Sequence, residues 1–428
     1  MKSGVFGRAM NPSEARSDAY AVVRALLTDR GANDCGVAGE ATEQVLLHCH
    51  KIRGGQFWGT LAQEAEHHGV APLIGPMITA LARMRPEIVP DDVRRSFVAL
   101  TSRHRRAAVA REKCIDQLLV AFATVSIPII LLKGAALAHR IYPSPELRPM
   151  IDIDVLIDPA DTERAVAIIR DLGYSFARRH ESRFAGRMHH LPAAATERSG
   201  FRILLEIHLD AMSANQAGSL TFATLAAKPQ PFRRGGGPDG VTLGHTDMLR
   251  HLARHAFEPA RCIRLSHLYD LWRYQAIFRD EINWRELALR FPDVIVILKL
   301  VSFVFAAPQP FNAASKSVPA GVGLGMVPLS EIATADIGCA AKVAALFNPP
   351  AWWLHGFYGV APDRSLFICR TVRHPITLAR WLATRFVSGI GLSAPVPACI
   401  AGSENSALEK TKHDRIGNYR RSDPHAYQ

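Results

Sequence analysis

The sequence predicts an α+β fold, with a small sheet inserted between an N-terminal and a C-terminal helical region. Two observations predict the sheet. In residues 150–158, MIDIDVLID, Ile151, Ile153, Val155 and Ile157 fall on one parity and Asp152, Asp154, Leu156 and Asp158 on the other. Residues 201–210, FRILLEIHLD, repeat the arrangement: Ile203, Leu205, Ile207 and Leu209 alternate with Leu204, Glu206, His208 and Asp210. A strand sends successive side chains to opposite faces, so each segment can bury one face and present acids on the other. The third observation concerns the flanks, where the apolar spacing is helical and strand-type alternation is absent.

Taken in order, residues 1–20 read as a loose terminus and residues 21–122 as helical. Tyr20, Val23, Leu26 and Leu27 open this region, and Val98 to Phe122 closes it with a basic face of Arg103, Arg105, Arg106, Arg111 and Lys113. Such a charge run reads first as a solvated helix face. Residues 123–227 hold the α/β core. Pro128 precedes a first strand, IILL, which ends at Lys133-Gly134; residues 135–142 are helix formers stopped by Pro143 and Pro145. Asp158-Pro159 has the form of a helix N-cap with proline at the first helical position, and Gly173 suits the end of that helix. Residues 228–240, KPQPFRRGGGPDG, read as a linker, residues 241–392 as helical, and residues 393–428 as a disordered basic tail.

Bulk composition narrows the class less than the motifs do. The 428-residue chain has ordinary apolar content and a formal charge of +12. That surface tolerates phosphate-rich or acidic partners, but the arginines are spread out and do not single out nucleic acid. Seven cysteines without a CxxC pair point to reduced thiols and a cytoplasmic location. The most apolar stretch, residues 294–307, is too short for a membrane span and contains Lys299, so no membrane partner is expected.

The chemistry concentrates in the acid-bearing strands. Two like charges side by side are unfavourable unless a cation lies between them or one proton is retained. Asp152 and Asp154 are therefore candidates for a hard divalent metal. Gly134 opens a helix whose free N–H groups attract phosphate, and Lys133 adds a point charge there; alternatively Gly134 only lets the strand turn closely and Lys133 is solvated. Arg148, just ahead of the acids, is placed to pair with them, with phosphate, or in a structural ion pair. His208 shares a parity with Glu206 and either orients it, touches substrate or is a hydrogen-bonded structural histidine. His189 and His190 point to opposite faces, so at most one joins the site. His48, Cys49, His50, His67 and His68 lack further ligands at zinc spacing, and the His251/His255 pair lacks a HExxH arrangement and is assigned to packing and surface.

Together LLKG, LRPMIDIDVLI, the HHLP stretch and LLEIHLD resemble the uncharacterised nucleotidyltransferase family of the DNA polymerase beta-like nucleotidyltransferase superfamily. FWGTLAQEAEHHGVAPLI and MLRHLARHAFEPARCIRLSHLYDLW extend the resemblance over residues 40–390. The resemblance implies a small mixed-sheet nucleotidyltransferase core with helices on one side. It places Lys133 and Gly134 at the phosphate loop, Asp152 and Asp154 at the metal pair, and Glu206 at the third carboxylate. It further implies Mg²⁺, two ions, with Mn²⁺ as a substitute, an NTP substrate, and an acceptor that is a small molecule, protein or RNA. Ala135 stands where the superfamily commonly carries serine, and Glu206 where aspartate is more frequent. The competing expectation is a non-catalytic nucleotide- or partner-binding module that keeps the fold.

Overall fold

The acid-bearing strands lie side by side at the centre of a five-stranded sheet. The computed structural model describes residues 12–33, 39–53, 55–176, 190–211, 222–225, 228–257, 264–305, 347–349, 351–360 and 364–387. The sheet comprises β1 (Ile130–Leu131), β2 (Asp152–Leu156), β3 (Ser175–Phe176), β4 (Ala194–Arg198) and β5 (Phe201–His208), in spatial order β1-β2-β5-β4-β3. β2 and β5 run parallel while every other neighbouring pair is antiparallel, so the sheet is mixed, as the resemblance implies. The alternation explains the pairing: Ile153, Val155, Ile203, Leu205 and Ile207 are fully buried on one face. Each such side chain contributes about 1.5–3 kcal/mol by leaving water.

Helices precede the sheet: α1 (Pro12–Asn33), α2 (Glu40–Arg53), α3 (Gly55–His67), α4 (Ala71–Met84) and the long α5 (Asp91–Thr124). The last buries Phe97, Ile115, Leu118 and Phe122. α1 begins at Pro12, inside the stretch expected to be loose. Within the core, α6 (Lys133–Arg140) follows β1 directly and starts two residues earlier than its helix formers suggest. α7 (Thr162–Asp171) links β2 to β3. The Asp158 carboxylate accepts from the Ala160 N–H at 2.9 Å, and Gly173 takes φ +82°, so both ends of this segment form as the sequence indicates.

The stretch read as a linker folds back on the core. After the short α8 (Phe222–Leu225), β6 (Gln230–Phe232) and β7 (Gly240–Thr242) pair as a hairpin. The Thr242 hydroxyl donates to the Leu131 carbonyl at 2.6 Å, and buried Arg234 bridges Glu112 at 2.5 Å and Asp116 at 2.6 Å. Prolines and glycines here make a turn whose flanks are held by α5 and β1. The helices that follow are α9 (His245–Ala256), α10 (Leu265–Ile277), α11 (Trp284–Arg290), α12 (Pro292–Val304), α13 (Ala351–Tyr358) and α14 (His374–Val387). No helix among the described residues is long and apolar enough to cross a membrane. The tail expected at residues 393–428 lies outside the described residues, as do residues 306–346 of the region expected to be helical.

Candidate active site

Parallel register puts the acids together. Asp154 is the partner of Glu206, and Leu156 of His208, so Asp154, Glu206 and His208 project from one face of β2 and β5. Asp152 shares that face by parity, opposite Leu204. An isolated bridge sets His190 beside His208, with ring centroids 5.9 Å apart. His189 lies outside the described residues.

Asp154 is the centre of the group and is far from the solvated acid its alternation suggests, being 2% exposed. Its Oδ1 accepts from Lys133 Nζ at 2.6 Å and from His208 Nε2 at 2.8 Å. Burial by itself would raise the carboxyl's pKa, but the Lys133 charge and the His208 hydrogen bond outweigh it and hold the group well below the usual carboxylate range. His208 is held below the ordinary histidine value, by burial first and the Lys133 charge second, against the opposing pull of Asp154 and Glu206. Its Nε2 lies 3.7 Å from Glu206 Oε2.

Lys133 reaches this position through an unusual backbone. β1 pairs antiparallel with β2, and the Leu132 N–H donates to the Asp154 carbonyl at 3.0 Å. Lys133 then adopts φ +43°, a left-handed conformation that costs a non-glycine residue about 1–2 kcal/mol. The turn starts α6 and brings the lysine onto Asp154. At Gly134 a Cβ would sit 2.6 Å from Met150 Cγ, so any larger residue there has to displace the Met150 side chain. The first turn of α6 is buried, with Lys133 7% and Ala135 1% exposed. Gly134 thus packs closely at the turn, while Lys133 is buried against Asp154 and is not the solvated lysine of the alternative reading.

Arg148 is engaged elsewhere. Its Nε and Nη2 donate to the Asp270 carboxylate at 2.7–3.0 Å, and the Tyr142 hydroxyl donates to the same group at 2.6 Å. This is the structural ion pair among the three alternatives the sequence left open. Asp152 feels the charges of both Arg111 and Arg148.

Among the described residues, Asp154, Glu206 and His208 have ligand atoms all within 4.8 Å of one another. Two carboxylates and an imidazole at such spacing fit a divalent cation. The set differs from the expected Asp152, Asp154 and Glu206: His208 is inside it and Asp152 is not. His251 on α9 is a neighbour the sequence did not connect to the site. It is 3% exposed, its Nε2 has no hydrogen-bond partner, and its other ring nitrogen donates to the Ala211 carbonyl just beyond β5. Burial, followed by the charges of Lys133 and His208, pushes it down to about 3. Its helical spacing signals only packing; a contact between α9 and the end of β5 has no signature in local sequence.

No curated protein and no solved structure matches the chain. A family described as uncharacterised nucleotidyltransferase matches residues 55–292, from α3 through the sheet to the start of α12. With β2 and β5 joined around Asp154 inside that span, the chain belongs to this uncharacterised nucleotidyltransferase family.

Proposed function

We propose that the protein is a metal-dependent nucleotidyltransferase that moves a nucleoside monophosphate from an NTP to an acceptor hydroxyl. The observation that supports it most is the register pairing of Asp154 with Glu206 beside His208, inside a nucleotidyltransferase family. The acceptor oxygen bonds to the α-phosphorus, the bond from that phosphorus to the bridging oxygen breaks, and pyrophosphate leaves. A divalent ion at such a site, Mg²⁺ being the one the family resemblance implies, supplies charge neutralisation of the polyphosphate and acidifies the acceptor hydroxyl.

The protein residues divide the remaining work. Asp154, kept ionised by Lys133 and His208, is a fixed anion that needs no proton loss before binding a cation. Glu206, partly buried next to His208, takes the hydroxyl proton. Asp152 lies on the same face at the start of β2 and completes the acidic surface toward the phosphates. Lys133 and Gly134 bound this surface at the start of α6, and His190 borders it next to His208.

The test is transfer of label from an α-labelled NTP in the presence of Mg²⁺, across small-molecule, protein and RNA acceptors. Glu206→Gln is expected to lower turnover by roughly a hundredfold or more while thermal unfolding is unchanged. Equal turnover in this variant would sink the assignment of Glu206. The lysine seated on Asp154 favours one second reading, a module that binds NTP without turning it over. Metal-dependent NTP binding with no product from any acceptor would select it.

A further inference from the structure

We propose that the outward face of α14 and the turn leading into it docks onto an anionic membrane surface, through a row of exposed apolar side chains flanked by arginines. The proposal is independent of the nucleotidyl-transfer reading. Three features of the segment carry it.

The first is an apolar row turned away from the body. Ser365 opens the segment, its Oγ accepting from the Phe367 N–H at 3.3 Å. A π-type turn over Cys369–Arg373 then runs straight into α14, and the His374 N–H donates to the Cys369 carbonyl, five residues back. One side is packed: Cys369, His374 and Leu378 are buried, and His374 Nδ1 is hydrogen-bonded to the Tyr358 hydroxyl of α13 at 3.1 Å. The other side carries Phe367, Ile368, Val372 and Ile376, which are 70%, 65%, 48% and 48% exposed. Ile368, Val372 and Ile376 recur every fourth residue and so share a face. Four such side chains in water are unfavourable until another apolar phase takes them.

The second is charge. From Arg364 to Arg380 the chain has four arginines, at 364, 370, 373 and 380, and no acid. Among the described residues none of them pairs with a carboxylate. Arg370 donates to the Asn348 side-chain carbonyl, and Arg373 lies over the Tyr358 ring, 5.1 Å from its centroid. Arg364, Arg373 and Arg380 are exposed. Long cationic side chains beside an apolar row keep their heads at the water boundary, where anionic headgroups lie.

The third is the occupant that both features select together. A second copy docked through the same row would set arginines against arginines with no carboxylate to meet them. A nucleic acid satisfies the arginines and leaves the aliphatic row in water. An anionic bilayer satisfies both, taking the apolar tips into the acyl boundary and the guanidinium groups to the headgroup phosphates. A helix lying in the interface plane needs no spanning length, so the lack of a spanning stretch has no bearing on it. One apolar row with a basic flank gives reversible attachment.

The full chain is floated with vesicles of equimolar phosphatidylglycerol and phosphatidylcholine, and with vesicles of phosphatidylcholine alone. Binding to the mixed vesicles is expected, reduced by salt and at least about tenfold weaker without phosphatidylglycerol. Arg373→Gln with Arg380→Gln is expected to weaken it by about 30-fold, through loss of two charges that face the headgroups. Ile368→Ser with Val372→Ser is expected to weaken it by about tenfold or more at an unchanged thermal midpoint, because both side chains are already in water in the free protein. No flotation with the mixed vesicles, equal binding to both vesicle types, or binding unaltered in both variants overturns the proposal. So do a solution dimer that the serine variant dissociates, and single-stranded RNA that binds through Arg373 and Arg380 where vesicles do not.

Discussion

Lys133 and Asp154 show how much one residue pair decides. Their side chains are 9% and 3% exposed and 2.6 Å apart, so each charge is tolerable only because the other is present. Removing one partner of such a pair costs far more than the pair itself contributes, because the survivor is left uncompensated in a poor solvent. Lys133→Met keeps the side-chain length and removes the charge. We expect it to lower unfolding free energy by about 3–5 kcal/mol, measured by urea denaturation. Combining it with Asp154→Asn should recover part of that loss. A loss below about 1 kcal/mol would show that water reaches the pair, as at an exposed ion pair. The sequence placed Lys133 beside a glycine at a strand end; it did not reveal that the ammonium turns inward, since that depends on the backbone at φ +43° and on β1 pairing with β2.

Among the elements, α10 has the most consequential link to the sheet. Asp270 on this helix receives both Arg148, from the segment leading into β2, and the Tyr142 hydroxyl from the residues after α6. Burial and the Asp270 charge push the Tyr142 phenol well above its ordinary value, so it remains a donor at neutral pH. The C-terminal helical region thereby fixes the approach to the acid-bearing strand. Asp270→Ala leaves a buried guanidinium without its carboxylate and is expected to cost about 3–5 kcal/mol, read as a lowered thermal midpoint. An unchanged midpoint would mean that Arg148 finds another anion. The hairpin β6–β7 is a second such link, through Arg234 to Glu112 and Asp116 on α5. All three ion pairs join residues more than 110 positions apart, beyond the reach of any periodicity argument.

Across the whole molecule these groups set the pH response. His251 has an ordinary value of 6.5 and is pushed down to about 3, and His208 is also lowered, so the folded chain keeps both neutral where the unfolded chain protonates them. The unfolded state then binds more protons, and stability falls as pH drops from about 6.5 toward about 3. Asp154, lowered from 3.8, adds stability that is complete above that value and is lost on further acidification. Urea midpoints are therefore expected to decline from neutral pH through the range 6.5–3, and His251→Asn to flatten part of that decline. A profile flat to pH 4 would contradict the buried neutral state.

Local sequence determined the two acid-bearing strands, the face each of their residues occupies, the Asp158 cap and the family, because alternation and turn chemistry act over a few residues and are written directly in residue order. Only tertiary structure decided that Asp154 is buried, that Lys133 neutralises it, that His208 joins Asp154 and Glu206 in a cluster with ligand atoms within 4.8 Å of one another, and that Arg148 turns to Asp270. Parity says which way a side chain points. Depth, counter-charge and ligand distance depend on what another part of the chain brings opposite it.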